Sequence, residues 1–389
     1  MPSVPNRPRR SVPAFRLRIT AAAVLTACVS VAHAQQTQTP PQRTLSEVVV
    51  TASGFEQALE RAPASISVVT RQELESRPYR DLSEALQNVE GIDVLGSTGK
   101  TGGLDISIRG LPSEYTLILI EGRRQNVAGD VTPNGFSTAH TSFLPPVSAI
   151  ERIEIIRGPM SKLYGSDAMG GVVNIITRKV ADTWGGSLSG QIGVPEAGDE
   201  GGQRRLNAYL SGPLVKDRLG IALRGTVYDR DASDRLGSGT GRDPRPGESR
   251  QYSAGARLTL TPNRAHELWL DVEQSRTRYD NSDCRLGTLD YTNCATGRPT
   301  ATASGYEDAL EFNRDQVPVG HTGRLGFGRL ESSLMHSRTE TLGRTLPSAS
   351  RPAGDPAIGT ARTLETTNVV LDTKLVTPLG ERHLLTTGA

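Results

Sequence analysis

Apolar positions along this chain follow different rhythms in different stretches. Residues 19–31 are almost continuously apolar, behind Arg7, Arg9, Arg10, Arg16 and Arg18. Between residues 65 and 177 the apolar runs are short, rich in β-branched residues, and cut off by glycine or charge. Such runs predict strands. One ends at Ile108 before Arg109 and Gly110. Another ends at Ile120 before Glu121, Gly122, Arg123 and Arg124, and a third at Ile156 before Arg157, Gly158 and Pro159. Residues 172–177 give a further strand, entered through Gly165, Gly170 and Gly171. Two helices are signalled before these. Thr70 with Glu73 is a capping-box pair, and Pro78 ends the helix it starts. Asp81 with Glu84 repeats the device ahead of Leu82, Ala85, Leu86 and Val89, which share one helical face. Gly91 stops that helix, and Ile92, Asp93 and Val94 read as one more strand.

After residue 184 the rhythm becomes alternation with a period of two. Candidate strands are 187–193, 206–212, 219–228, 254–261, 267–274, 321–330, 332–339, 367–377 and 382–387. Short turns between them alternate with long polar loops. That asymmetry is expected of a transmembrane antiparallel β-barrel with short periplasmic and long external connections. A soluble all-β domain is the other reading that alternation permits. A strand with its connection takes roughly 20 to 25 residues, so about nine strands fit here. Aromatic residues make up only 4% of the chain, thin for two girdles, and Tyr209, Tyr228, Trp269 and Tyr279 are the candidates.

The N-terminal 34 residues read as a secretory signal peptide, with Ala32, His33 and Ala34 as the small-x-small cleavage site. Leu25, Thr26, Ala27 and Cys28 also fit a lipoprotein box with Cys28 lipidated; cleavage after Ala34 is preferred. A linker of Gln, Thr and Pro follows. Next comes Leu45, Ser46, Glu47, Val48, Val49, Val50 and Thr51, a β-prone segment of the kind captured by strand addition. The 44 basic and 42 acidic residues leave a net charge of +2, no basis for nucleic-acid binding. Enzyme motifs and metal-binding clusters are not evident, and no cofactor is expected. Gly165 and Gly170 are not followed by the Lys and Ser/Thr of a phosphate loop. Cys284 and Cys294 lie in an expected external loop. An oxidising compartment makes a Cys284–Cys294 disulfide the default, stabilising by roughly 3 kcal/mol. A metal site is the rival there, but it lacks a neighbouring His or third Cys.

Three stretches together are more specific than any one alone: 106–110, 153–159 and 158–168. They resemble the plug domain of TonB-dependent outer-membrane receptors, nearest the ferric-catecholate branch that includes the colicin I receptor. The resemblance is strong over 45–186 and weaker beyond, with Glu90 where proline is common. It implies an α+β plug domain followed by the first strands of a transmembrane antiparallel β-barrel, which in the whole family member has roughly 22 strands. The expected domains are a signal peptide at 1–34, a linker with the TonB box at 35–52, a plug at 53–180 and the beginning of the barrel at 184–389. The alternating pattern stops at 384–389 without a terminal aromatic residue. An N-terminal piece of a longer receptor is therefore expected, a naturally short secreted product being the rival.

The resemblance also implies roles. Leu45 to Thr51 pair with the TonB energy-coupling protein. Arg109 and Arg157, with Glu151 and Glu154 as nearer candidates, form ion pairs between plug and barrel. Arg123 and Arg124 face a ferric siderophore from the plug apex, and Arg276 and Arg278 approach it from the barrel, because guanidinium suits an anionic aromatic chelate. Haem or another metal chelate is the alternative cargo, and a surface adhesin the alternative of a different class. The expected setting is the outer membrane of a Gram-negative bacterium, with outer-membrane lipid and colicins among the partners.

Overall fold

The computed structural model describes residues 48–49, 57–58, 65–77, 79, 82–96, 104–125, 143–160, 164, 168–196, 201–232, 248–280, 306–345, 361–380 and 383–388. The signal peptide, Cys28, Leu45, Ser46, Glu47, Val50, Thr51, Cys284 and Cys294 lie outside them. The first described piece is a two-residue ladder of β1 (Val48–Val49) with β2 (Gln57–Ala58). There follow β3 (Ser65–Val69), α1 (Arg71–Ser76), α2 (Leu82–Leu86), β4 (Ile92–Gly96), β5 (Leu104–Ile108), β6 (Thr116–Ile120), β7 (Arg123–Arg124), β8 (Ile150–Arg157) and β9 (Gly171–Thr177).

Both capping groups at α1 are satisfied as the sequence requires. Glu73 N donates to Thr70 Oγ1 at 3.3 Å, and Thr70 N donates to Glu73 Oε2 at 2.7 Å. Arg71 then anchors the helix, donating to Ile150 O at 2.7 Å. Leu82, Ala85 and Leu86 are buried, as the helical face predicted.

The plug is built on a sheet of order β3-β8-β9-β6-β7, with β6 and β9 parallel and the other pairs antiparallel. Strand β6 is buried at every position because both faces of the sheet are covered. Ile118, Ile120, Ile153, Ile155, Val173 and Ile175 face a cluster with Leu74, Leu82 and Leu86 of the helices. Leu117, Leu119, Ile156 and Val172 face the other way, with Ala168.

The chain then enters a single antiparallel sheet in which each strand pairs with the next. Its strands are β10 (Gly185–Gly193), β11 (Gln203–Val215), β12 (Leu219–Arg230), β13 (Ser249–Asn263), β14 (His266–Asp280), β15 (Tyr306–Leu325), β16 (Gly328–Thr345), β17 (Ala361–Leu379) and β18 (His383–Gly388). Nine strands match the number expected. At one end the connections span 3, 2, 2 and 3 residues, and at the other 9, 18, 25 and 15, which is the asymmetry of periplasmic and external ends.

One expected strand is corrected. Residues 321–330 straddle a turn at Gly326 and Phe327, with β15 ending before it and β16 beginning after it. The sequence hides most of β15 because its outward residues Glu311, Asn313 and Asp315 are polar and read as loop.

Alternation assigns the two faces of the wall. Outward lie Leu188, Leu206, Leu210, Leu223, Val227, Leu258, Leu270, Val272, Val317, Val319, Leu334 and Leu371, all exposed. The four girdle candidates are also corrected. Tyr209 and Tyr279 are buried, and Tyr228 and Trp269 share their inward parity. Trp184, Tyr252 and Phe327, which are exposed, are not among those four.

Replacing Thr70 with Ala removes one capping acceptor and should cost about 1 kcal/mol. Amide exchange within α1, followed by mass spectrometry, should then be roughly fivefold faster. Unchanged exchange would show that the Arg71 anchor alone holds the helix.

Candidate functional site

The hairpin turn at Glu121 and Gly122 positions the site. Both residues have positive φ, 55° and 76°, and they join a pair in which Ile120 opposes Arg123. This is the geometry of a two-residue primed turn. A non-glycine residue in that conformation needs support. Glu121 Oε1 accepts from Thr177 N and Thr177 Oγ1, both at 2.6 Å, and Gly122 N donates to Asn174 Oδ1 at 3.0 Å. The turn therefore sends β7 toward the wall. The Arg123 guanidinium lies 4.7 Å from the centroid of Trp269, and Arg257 of β13 approaches the same ring at 4.8 Å. Arg257 is also 3.9 Å from Glu121. Trp269 lies across Gly320, where an added Cβ would fall 2.3 Å from the indole, so this neighbour must be glycine. Burial pulls the Arg123 guanidinium below its ordinary value, against the raising influence of Glu121 and Asp271.

Two residues further on, Gln125 meets a buried arginine of the wall. Arg314 Nη1 donates to Gln125 Oε1 at 3.0 Å, and Nη2 donates to Phe143 O and Glu273 Oε1, each at 2.8 Å. Phe143 stacks on Phe312 at 5.0 Å. Glu273 Oε2 also accepts from Arg224 at 2.8 Å, and Asp271 Oδ1 accepts from Arg224 at 2.9 Å. The space enclosed by Ile120, Arg123, Gln125, Arg224, Asp271, Glu273, Gln316 and Pro318 is about 10 Å³, room for roughly one water. This junction fastens plug to wall.

The sequence-derived candidates fall elsewhere. Arg109 and Arg157 converge on Gly91, whose added Cβ would sit 3.8 Å from Arg109 Cγ and 3.6 Å from Arg157 Cδ. Arg157 donates to Glu90 O at 2.6 Å and to Ser67 Oγ at 2.8 Å. Glu154 accepts from Arg152 at 2.7 Å, and Glu151 is exposed. The partners seen for Arg157 and Glu154 thus belong to the plug, while among the described residues Glu121 and Arg257 form an ionic contact between plug and wall.

Arg123 is buried against the wall rather than presented at an apex, and Arg124 donates to Tyr164 O. Arg276 and Arg278 point outward. Their neighbours on β14, Ser275, Thr277 and Tyr279, are the buried inward residues. Arg276 pairs with Asp315 at 2.8 Å and Arg278 with Glu311 at 3.4 Å. A shift of one residue along a strand reverses the face, and neighbouring an external loop does not fix that parity. Of the coupling segment, Val48 and Val49 are described, paired with Ala58 and Gln57.

Sequence reasoning missed Arg224, Arg257, Asp271, Glu273 and Arg314. The signal was present in β14, where Asp271 and Glu273 alternate with Leu270 and Val272. Charges on one face and leucine or valine on the other mark a wall whose polar side is enclosed.

Residues 58–172 match the TonB-dependent Receptor Plug Domain family. The chain is 36% identical over 348 residues to the iron-regulated outer membrane virulence protein of Vibrio cholerae, covering 89% of this chain and 47% of that protein. It is 32% identical over 281 residues to the probable TonB-dependent siderophore receptor PirA of Acinetobacter baumannii, covering 67% of this chain and 35% of that one. The solved ferric enterobactin receptor PfeA of Pseudomonas aeruginosa, as a mutant, superposes with a TM-score of 0.68 at 26% identity, covering 88% of this chain and 50% of that one. The chain spans about half the length of the first of these relatives and of the solved receptor.

Removing Arg314 as Arg314→Met should destabilise the protein by about 3 to 5 kcal/mol, since it breaks a buried ionic contact. The double variant with Glu273→Gln should be less than additive by about 1 to 2 kcal/mol. Urea unfolding of the detergent-solubilised protein measures both. Strict additivity would mean that the two groups do not interact.

Proposed function

We propose that this chain is part of a TonB-dependent outer-membrane receptor and forms the plug and first wall strands of a receptor that imports a ferric catecholate siderophore. The observation that carries this reading is a plug of the matched family fastened by Arg314 and Arg257 to a wall with short turns at one end and long connections at the other. The proposed domains are 1–34 for export, 35–52 for the linker and coupling segment, 53–180 for the plug and 184–389 for wall strands. Relatives named as an iron-regulated virulence protein, a siderophore receptor and a ferric enterobactin receptor support iron-chelate import over adhesion. The exposed apolar rows suit contact with outer-membrane lipid. Colicin use remains a separate proposal, tested by killing of cells that display the receptor.

Coupling is proposed to run through Leu45 to Thr51. Val48 and Val49 rest in a ladder of only two residue pairs. So small a hairpin is marginal by itself, and the TonB strand exchanges for β2 with little to overcome. Arg124 is retained as the plug-side contact with cargo. Arg123, beside it on β7 and packed against Trp269 of the wall, supports it, and Arg276 and Arg278, facing outward, are assigned no cargo contact. The proposed disulfide between Cys284 and Cys294 is tested by non-reducing peptide mapping.

Val49→Pro in the full-length receptor should abolish uptake of radioactive ferric siderophore, because proline cannot donate to the added strand. Surface display and siderophore binding should stay as in the parent, and undiminished uptake would remove this segment from the mechanism.

Cargo identity has its own measurement. Binding titrations should give ferric catecholate at least roughly a tenfold advantage over ferric hydroxamate, haem and cobalamin, about 1.4 kcal/mol. Tighter haem binding would move the protein to the alternative cargo class.

A further inference from the structure

Two histidines lie outside the import machinery. His266 on β14 opposes Gly323 on β15, and the next outward pair sets Leu268 against His321. The two imidazoles stack with centroids 5.2 Å apart, and His266 Nδ1 lies 3.0 Å from His321 Nε2. Gly323 permits this approach. A Cβ there would stand 2.9 Å from His321 Cε1 and 3.5 Å from His266 Nδ1. Both rings are partly buried. They sit on the outward face where the apolar rows of Leu268, Leu270 and Val319 end, beside the short turns at 264–265 and 326–327. A backbone bond from Arg324 N to Ala265 O, 2.7 Å, fixes the two hairpins against each other at this level.

We propose that His266 and His321 form a two-imidazole binding site for a divalent transition-metal ion, Cu²⁺ above all, joining adjacent hairpins at the short-turn rim of the wall. The spacing decides the metal. An ion held at about 2.0 to 2.1 Å by two nitrogens that are 3.0 Å apart makes an N–M–N angle near about 90°. That is the cis angle of a tetragonal Cu²⁺ site and is tighter than tetrahedral Zn²⁺ prefers. The order of divalent affinities also places Cu²⁺ first for imidazole. Among the described residues no group of three or more His, Cys, Asp or Glu is arranged around a metal, so water completes the coordination and the ion exchanges. Binding requires a lone pair on both facing nitrogens. A facing nitrogen that carries its ring's proton yields it to the outer nitrogen of the same ring, with no net proton release and no change in copper oxidation state.

The full-length receptor, purified in detergent without a histidine tag, is titrated with Cu²⁺ and followed by electron paramagnetic resonance. The wild type should bind one equivalent more than His266→Gln and one more than His321→Gln, with hyperfine structure from two nitrogens in the difference spectrum. Gly323→Ala keeps both ligands but crowds them, and should weaken that equivalent at least tenfold. Circular dichroism and heat-modifiable migration confirm that each variant is folded. Equal copper stoichiometry in the wild type and both histidine variants overturns the site. Import is not part of the readout, so its failure and the failure of this site are distinguishable.

Discussion

A single guanidinium, that of Arg314, sets how this plug is held in its wall. It is 3% exposed, and burying a charge that deeply costs several kcal/mol unless its bonds are filled. Glu273 supplies the opposite charge from the same wall, while the plug supplies the Gln125 amide, the Phe143 carbonyl and the face of the Phe143 ring, all neutral. Arg224 closes the set with Asp271 and Glu273. The wall is therefore electrostatically balanced without the plug. A plug that detaches here takes two neutral acceptors with it and leaves Arg314 still paired with Glu273. Such a junction is firm in place yet reversible, as the proposed import function requires of a plug.

The opposite arrangement holds at Arg123. Here the plug carries the charge, and the wall answers with the face of Trp269 and a second arginine, Arg257. Glu121 moderates the repulsion from inside the plug. Its backbone is held at positive φ by Thr177, so the turn that makes the hairpin also delivers the counter-charge. Local backbone geometry and electrostatics depend on each other at this one residue.

Much of the plug was legible because its signals are local. Thr70 and Glu73 are three residues apart and cap a helix wherever the rest of the chain goes. The run at 116–120 is apolar at nearly every position because two layers cover it, and the sequence shows that directly. The wall was legible in number but not in face or extent. Arg276 and Arg278 lie beside an external connection, yet their orientation follows a count of residues from Trp269, which the sequence does not label as inward. Tyr209 looks like a membrane aromatic until Ala149 and Arg178 are present to cover it. Arg314 pairs with groups 41, 171 and 189 residues away, and no local pattern reports such distances. Strand β15 was missed for a related reason. Above the apolar rows its outer face meets no hydrocarbon, so the alternation on which its recognition depends is lost.

The order of the plug sheet separates the strand nearest the proposed coupling segment from the strand that the wall holds. Strand β3, which follows the coupling segment, is one edge, and β7, which carries Arg123, is the other. Between them β8, β9 and β6 bury isoleucine, leucine and valine on both faces. Strand β3 is bound to β8 through five residue pairs, while the ladder of β1 with β2 has two. In the proposed coupling, load applied at Val49 meets a two-pair ladder first and then the edge strand, and the buried core connects that edge to the far one. Detaching β3 leaves the bonds of Arg314 to Gln125 and Phe143 in place. Loss of Arg314 loosens the far edge without touching the coupling strand. The apolar core is the element common to both, and it sets how much of a pull at one edge is felt at the other.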